Sequence, residues 1–302
     1  MITRNDVINN AERFLNLPPW TPQRDEQKFP RNNPNPDHTF HSAFRRGRQY
    51  QVMPYCYGGS DSVGRFESRI NQRTCPGGWD RISGRSTSYW YQNLGYEFQV
   101  PANLAGIDCA GYVAGCWEIT RRGITISSLP QTCLRIKMTG LKPGDILDLR
   151  GRHVRIFKRW VGAQADIYEA IGGGFQREFR AGDEIGRVVH HIITLAGSYI
   201  PYSPFPQFEV IEPTTSPVGA RPTLYVRIKG SGQLEYCNFI LDNTPIIPRA
   251  TDNPTKGIMN VIYTPNYDLM PGRHSLSIEA INNIANQSFK DKFSLEFVTE
   301  LM

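Results

Sequence analysis

Apolar and polar positions cycle regularly enough along several stretches of the chain to predict its elements. Near the start, Val7, Ile8, Ala11, Phe14 and Leu15 recur at helical spacing, which predicts a helix over residues 5–17 with Asn5 as its cap. From Gly106 to Trp117 small residues and aromatics follow a polar Asp-Cys pair, the pattern of a buried helix in its first turns. Period-two alternation then predicts strands of one antiparallel sheet over residues 146–149, 153–161, 166–171 and 187–195. Residues 199–218 are punctuated by prolines and mark a domain boundary. Beyond them, short alternating segments at 223–228, 237–241, 259–263, 275–280 and 293–297 predict an all-β sandwich.

The intervals are less regular. Residues 18–37, dense in Pro, Asn and charge, read as a covering loop rather than a core element. His38 and His41, at its end, read as surface or local hydrogen-bonding residues. Residues 121–141 form a connector with little periodicity.

The candidate chemistry lies on the predicted helix and sheet. Cys109 falls in the first turn of its helix, where unsatisfied backbone N–H groups and the helix dipole favour a thiolate. Leu141-Lys142-Pro143-Gly144-Asp145 is a Pro-Gly turn feeding the first strand, His153 heads the second, and Asp166-Ile167-Tyr168-Glu169 carries carboxylates on the third. A thiol, an imidazole and a polar group in that order suit nucleophilic catalysis, the base taking the thiol proton and the third group orienting the ring. Glu169 is the first choice for the third group; Asp166 and Asp148 are the alternatives.

Asp108-Cys109-Ala110-Gly111-Tyr112-Val113 resembles the Asp-Cys-Ser-Gly-Phe-Val nucleophile motif of the NlpC family of papain-like cysteine peptidases. Leu141 to Asp145 and His153-Val154-Arg155-Ile156 are similar to that family's Leu-x-Pro-Gly-Asp and His-Val-Gly-Ile segments. Pro54-Tyr55-Cys56-Tyr57-Gly58-Gly59 is similar to its Pro-Tyr-x-Trp-Gly-Gly element. The resemblance covers roughly residues 1–200. It implies an α+β papain-like fold over residues 1–208, with an insertion at about 60–104, followed by a β-sandwich over 209–302. It implies a cysteine peptidase acting on amide bonds of bacterial cell-wall stem peptides, with Cys109 as nucleophile, His153 as base and Glu169 where the family often has a histidine. Tyr55 and Asp108 are then oxyanion or substrate-binding residues, although Asp108 serves equally well as a brace for the helix. Ala110 replaces a serine that reads the free amine of the stem, which removes one contact of that specificity.

Residues 60–104 separate two site elements by more than the family allows. They read as packing on their own domain, or else as a cleft wall in which Tyr89-Trp90-Tyr91 meets substrate. In the tail, Leu269-Met270-Pro271-Gly272-Arg273-His274 resembles the turn of bacterial immunoglobulin-like modules, which makes His274 a packing residue and the tail a spacer or wall-contacting module. Cys237 reads as buried.

Charge and cysteine content narrow the rest. Of the 302 residues 39% are hydrophobic and 21% charged, a globular composition without an apolar run long enough for a membrane helix. The net charge of +6 reads as a solvated basic surface, because no nucleic-acid motif accompanies it. The spacing of the six cysteines offers no structural zinc site, so neither metal nor cofactor is expected; a disulfide from Cys56 or Cys75 stays open. The opening residues lack the regions of a signal peptide. The resemblance implies a cell-envelope or extracellular location, and the leader question leaves the cytoplasm open. An amidase or acyltransferase, and an inactive wall-binding or adhesion protein, are the competing functions.

Overall fold

The computed structural model describes residues 1–28, 39–42, 44–56, 58–77, 79–80, 85–86, 104–119, 125–172, 186–195, 197–250 and 257–300. The chain is mixed, with few helices and mostly antiparallel sheet. It divides into two compact units. One comprises Asn5–Leu129 with Lys142–Ile200; the other comprises Met1–Arg4, Pro130–Leu141 and Pro201–Met302.

In the first unit, α1 (Arg4–Leu15) buries Val7, Ala11 and Phe14. It begins one residue before the expected cap, so Asn5 lies inside it. Two short strands, β1 (Glu26–Lys28) and β2 (Thr39–His41), pair antiparallel, so the segment expected to be wholly loop contributes a strand. His38 lies outside the described residues, and of His41 only the backbone is described. Helix α2 (Val63–Asn71) starts at Ser62, whose hydroxyl accepts from Arg65 N, the usual way a serine satisfies an orphan donor. After it, β3 (Cys75–Pro76) runs parallel to β6 (Leu104–Ala105), while β4 (Trp79–Asp80) and β5 (Arg85–Ser86) extend the β1–β2 sheet. The expected insertion therefore contains regular structure; Tyr89, Trp90 and Tyr91 lie outside the described residues.

Helix α3 (Cys109–Cys116) carries only small or apolar residues besides Tyr112, and all but Gly115 are buried. Gly115 is needed there because a Cβ would sit 2.9 Å from the Phe14 ring of α1. The principal sheet of this unit holds β8 (Ile146–Asp148), β9 (Val154–Val161), β10 (Gln164–Ile171) and β11 (Arg187–Ile193), antiparallel in that spatial order. Helix α3 packs on β9 and β10. The four strands fall where alternation placed them, within a few residues.

In the second unit, β7 (Leu134–Arg135) pairs with β12 (Ile200–Ser203). The sheet β13 (Gln207–Glu212), β14 (Leu224–Lys229), β18 (Ile258–Tyr263) and β17 (Arg249–Ala250) is followed by a second, of β16 (Thr244–Pro245), β15 (Gln233–Leu241), β19 (Gly272–Ile284) and β20 (Gln287–Thr299). Leu224, Val226, Ile228, Val261, Leu276, Ile278 and Phe297 from both sheets share one apolar core. Strand β13 pairs along its length with β14, and the long stretch of this unit begins at Pro201, ahead of the expected 209.

The turns follow residue chemistry. Asp242 and Asn243 take positive φ of 49° and 65° between β15 and β16, and Ala285 and Asn286 take 49° and 67° between β19 and β20, as two-residue hairpins require. Cys237 sits at a register shift between Tyr236 and Asn238; its side chain, expected to be buried, lies outside the description. Among the described residues no helix is long and apolar enough to cross a membrane.

Candidate active site

The nucleophile candidate is positioned by two loops bonded to each other. Cys56 N donates to Ile107 O at 2.9 Å, Ile107 N to Pro54 O at 3.0 Å and Asp108 N to Gly59 O at 3.1 Å. Asp108 is the N-cap of α3. Its Oδ1 accepts from Gly111 N at 2.7 Å and its Oδ2 from Gly58 N at 2.8 Å. Both carboxylate oxygens thus brace backbone, the structural alternative weighed for this residue. Gly59 and Gly106 allow the close approach: a Cβ on Gly59 would stand 2.4 Å from Gly106 O.

Asp61, which the sequence did not single out, completes this frame. It is buried, accepts Gly106 N at 2.9 Å, and takes Arg69 Nη1 on both oxygens at 2.9 and 3.0 Å. Arg65 Nε approaches at 3.2 Å. The available signal was the pair Arg65 and Arg69, four residues apart on α2 with an aspartate just ahead of the helix.

Cys109 opens α3 and is 2% exposed. Cys56, Cys75, Cys109, Cys116 and Cys133 are thiols, so Cys56 and Cys75 form no disulfide. Burial, foremost, and the carboxylates of Asp61 and Asp108 push the Cys56 thiol far up, which makes it an inert packing group.

On the sheet, His153 immediately precedes β9, and its Nε2 bonds Oε2 of Glu169 on β10. Arg155 Nε donates to the same oxygen at 2.7 Å, and His191 Nε2 meets Oε1 at 2.5 Å. Glu169 is completely buried. Burial pushes its carboxyl up, but the bonds from His153 and His191 and the charge of Arg155 outweigh it and hold Glu169 well below the usual carboxylate range. Such charge-assisted bonds are what a buried carboxylate requires. Arg155 and His191 were not foreseen; Arg155 stands where the resembled motif has glycine, and that departure was the legible sign.

The other carboxylates are engaged elsewhere. Asp148 Oδ1 accepts Gly151 N at 3.0 Å in the β8–β9 turn, and burial raises its pKa. Asp166 takes Arg159 Nε at 3.0 Å and His190 Nε2 at 2.5 Å. Of the three candidate orienters, Glu169 is the one bonded to His153. Tyr112, one turn into α3, is close enough to the sheet that, after burial itself and Cys116, the charges of Tyr168 and Glu169 help to push its phenol up. Tyr55 is half-buried and pairs with Ile107 through a parallel bridge. Its ring lies against Gly172, just beyond β10, where a Cβ would come within 3.1 Å.

In chemical terms, a helix-tip thiol stands on a helix packed across β9 and β10, and an imidazole just ahead of β9 is bonded to an ionised carboxylate on β10. Of the two ring nitrogens of His153, Nε2 is the one bonded to Glu169. Among the described residues no three His, Cys, Asp or Glu side chains are grouped to hold a metal ion. Compared with models of known families and with curated proteins, the chain matches none.

Proposed function

We propose that the protein is a cysteine hydrolase of amide bonds, in which Cys109 attacks the carbonyl, His153 moves the proton and Glu169 orients and charges the imidazole. The single observation that supports this reading is the buried His153–Glu169 pair, one member at the start of β9 and the other on β10, the two strands against which the helix opened by Cys109 packs. A carboxylate held ionised favours the imidazolium that forms when the thiol gives up its proton, which keeps thiolate available near neutral pH. The backbone N–H groups at the tip of α3 are suited to receive the charge that develops on the attacked carbonyl, with the Tyr55 phenol as a further donor.

The resemblance to the NlpC family sets the substrate class within this reading: peptide stems of bacterial cell wall, at a bond between D-glutamate and a diamino acid. On the same basis the first unit is papain-like and the tail immunoglobulin-like, a spacer or wall-contacting module, and the protein works at the cell envelope. Asp108 is assigned to holding the nucleophile turn rather than to substrate.

Thiol reactivity tests the proposal. Iodoacetamide should alkylate Cys109 faster than the other cysteines near neutral pH, with the site read by peptide mass spectrometry, and His153→Ala should slow it at least about tenfold, the low end of what a positioned base contributes. A Cys109 that reacts no faster than Cys56, or that ignores the loss of His153, would leave the wall-binding alternative in its place.

A further inference from the structure

The two oxygens of Glu169 have different partners. Oε2 serves His153 and Arg155, and Oε1 serves His191 at 2.5 Å. His191 lies on β11 opposite Ile167, so it shares the face of β10 that carries Glu169, two residues further on. Its side chain keeps 34% exposure while Glu169 has none. The buried carboxylate is thus anchored on its own face of the sheet, from the neighbouring strand β11, by an imidazole that needs no other role in the chemistry.

We propose that His191 is a positioning residue of the reaction: it occupies Oε1 of Glu169 and thereby keeps Oε2 on His153. This rests on the hydrolase reading above. The physical reason is competition for the carboxylate. The terminal torsion of a glutamate is broad and soft. A guanidinium prefers to take both oxygens of a carboxylate in a fork, and Arg155 now holds only Oε2. Without His191, Oε1 is released and the carboxylate can turn into the Arg155 fork and away from His153. Other polar groups that act on this cluster, among the described residues, are Asp148, which interacts electrostatically with His153 from β8, Tyr112 on α3, whose phenol feels the charge of Glu169, and Tyr199, on whose ring Arg155 stacks. His190, the next residue on β11, is engaged with Asp166 and stacks on Tyr168. None of them replaces the bond to Oε1.

Losing the support of Glu169 leaves the His153 ring poorly oriented to take the thiol proton, so Cys109 reacts more slowly. The test measures the rate of Cys109 alkylation by iodoacetamide against pH in the full chain, for wild type, His153→Ala, His191→Ala and His191→Gln. His191→Ala should slow alkylation about tenfold on the acid side. His191→Gln, whose amide N–H can still reach Oε1, should restore the rate to within about twofold. A wild-type rate in His191→Ala, or no rescue by Gln, would overturn the inference while a slow His153→Ala left the hydrolase reading standing. A wild-type Cys109 that is unreactive, or unaffected by His153→Ala, would overturn both. If His191→Ala fails to fold by circular dichroism, His191→Leu takes its place with the same two outcomes.

Discussion

His153 meets Glu169 across two strands, Nε2 to Oε2, sixteen residues apart in the chain. The carboxylate also balances Arg155, itself only 7% exposed, so its two duties can be separated by substitution. Glu169→Ala strands a buried guanidinium and should cost about 3–5 kcal/mol, read by urea unfolding. Glu169→Gln keeps the shape but loses the charge; the fold should survive better while Cys109 alkylation near neutral pH drops at least about tenfold.

Acid titration offers a second view of the same residue. Its folded-state pKa is depressed below the ordinary 4.5, so its contribution to stability is complete above that value and is lost as the pH falls toward the folded one. Unfolding free energy measured from pH 6 downward should decline more steeply in wild type than in Glu169→Gln. Equal slopes would mean that the carboxylate is not held ionised by its neighbours.

The nucleophile turn should be sensitive to a single methyl group. Gly59→Ala puts a carbon 2.4 Å from Gly106 O and 2.6 Å from Cys56 O, and backbone cannot yield as a side chain can. The two loops must part, and Asp108 loses Gly58 or α3 loses its cap. Stability should fall by about 1–3 kcal/mol, as overpacking commonly costs, and Cys109 alkylation should slow although no reacting group is touched. A variant with wild-type rate would show that the turn does not set the thiol's environment.

His274 in the tail has the opposite pH sign. Burial opposes its protonation, but Asp242 and the Met270 carbonyl outweigh it and hold the imidazole above the ordinary 6.5. Its contribution is therefore complete below pH 6.5 and is lost as the pH rises through the folded value. Hydrogen exchange in β19 and β20 should quicken between pH 6 and 9 beyond the intrinsic increase, and His274→Gln should remove that excess.

Strands with one buried face were legible because period-two alternation is the direct imprint of such a face, as in β14, where buried and half-buried residues alternate throughout. Helix α3 was legible from its small-residue run and from Asp108 as its cap. What the sequence hid was contact between distant segments. Nothing local says that Asp61 binds Gly106, 45 residues away, or that His191 reaches Glu169 rather than Asp166. The short pair β1 and β2 was missed because strands of three residues are too short to show a period. Glu169 was singled out ahead of Asp148 and Asp166 by motif position alone; of the three it is the one bonded to His153.

Incubation of the purified chain with peptidoglycan stem peptides, read by mass spectrometry of the products, is the most direct measurement. Wild type should release two fragments whose masses sum to the substrate plus one water, and Cys109→Ala should release none. Intact stems with wild type, or the same fragments from Cys109→Ala, would contradict a cysteine hydrolase of the cell wall.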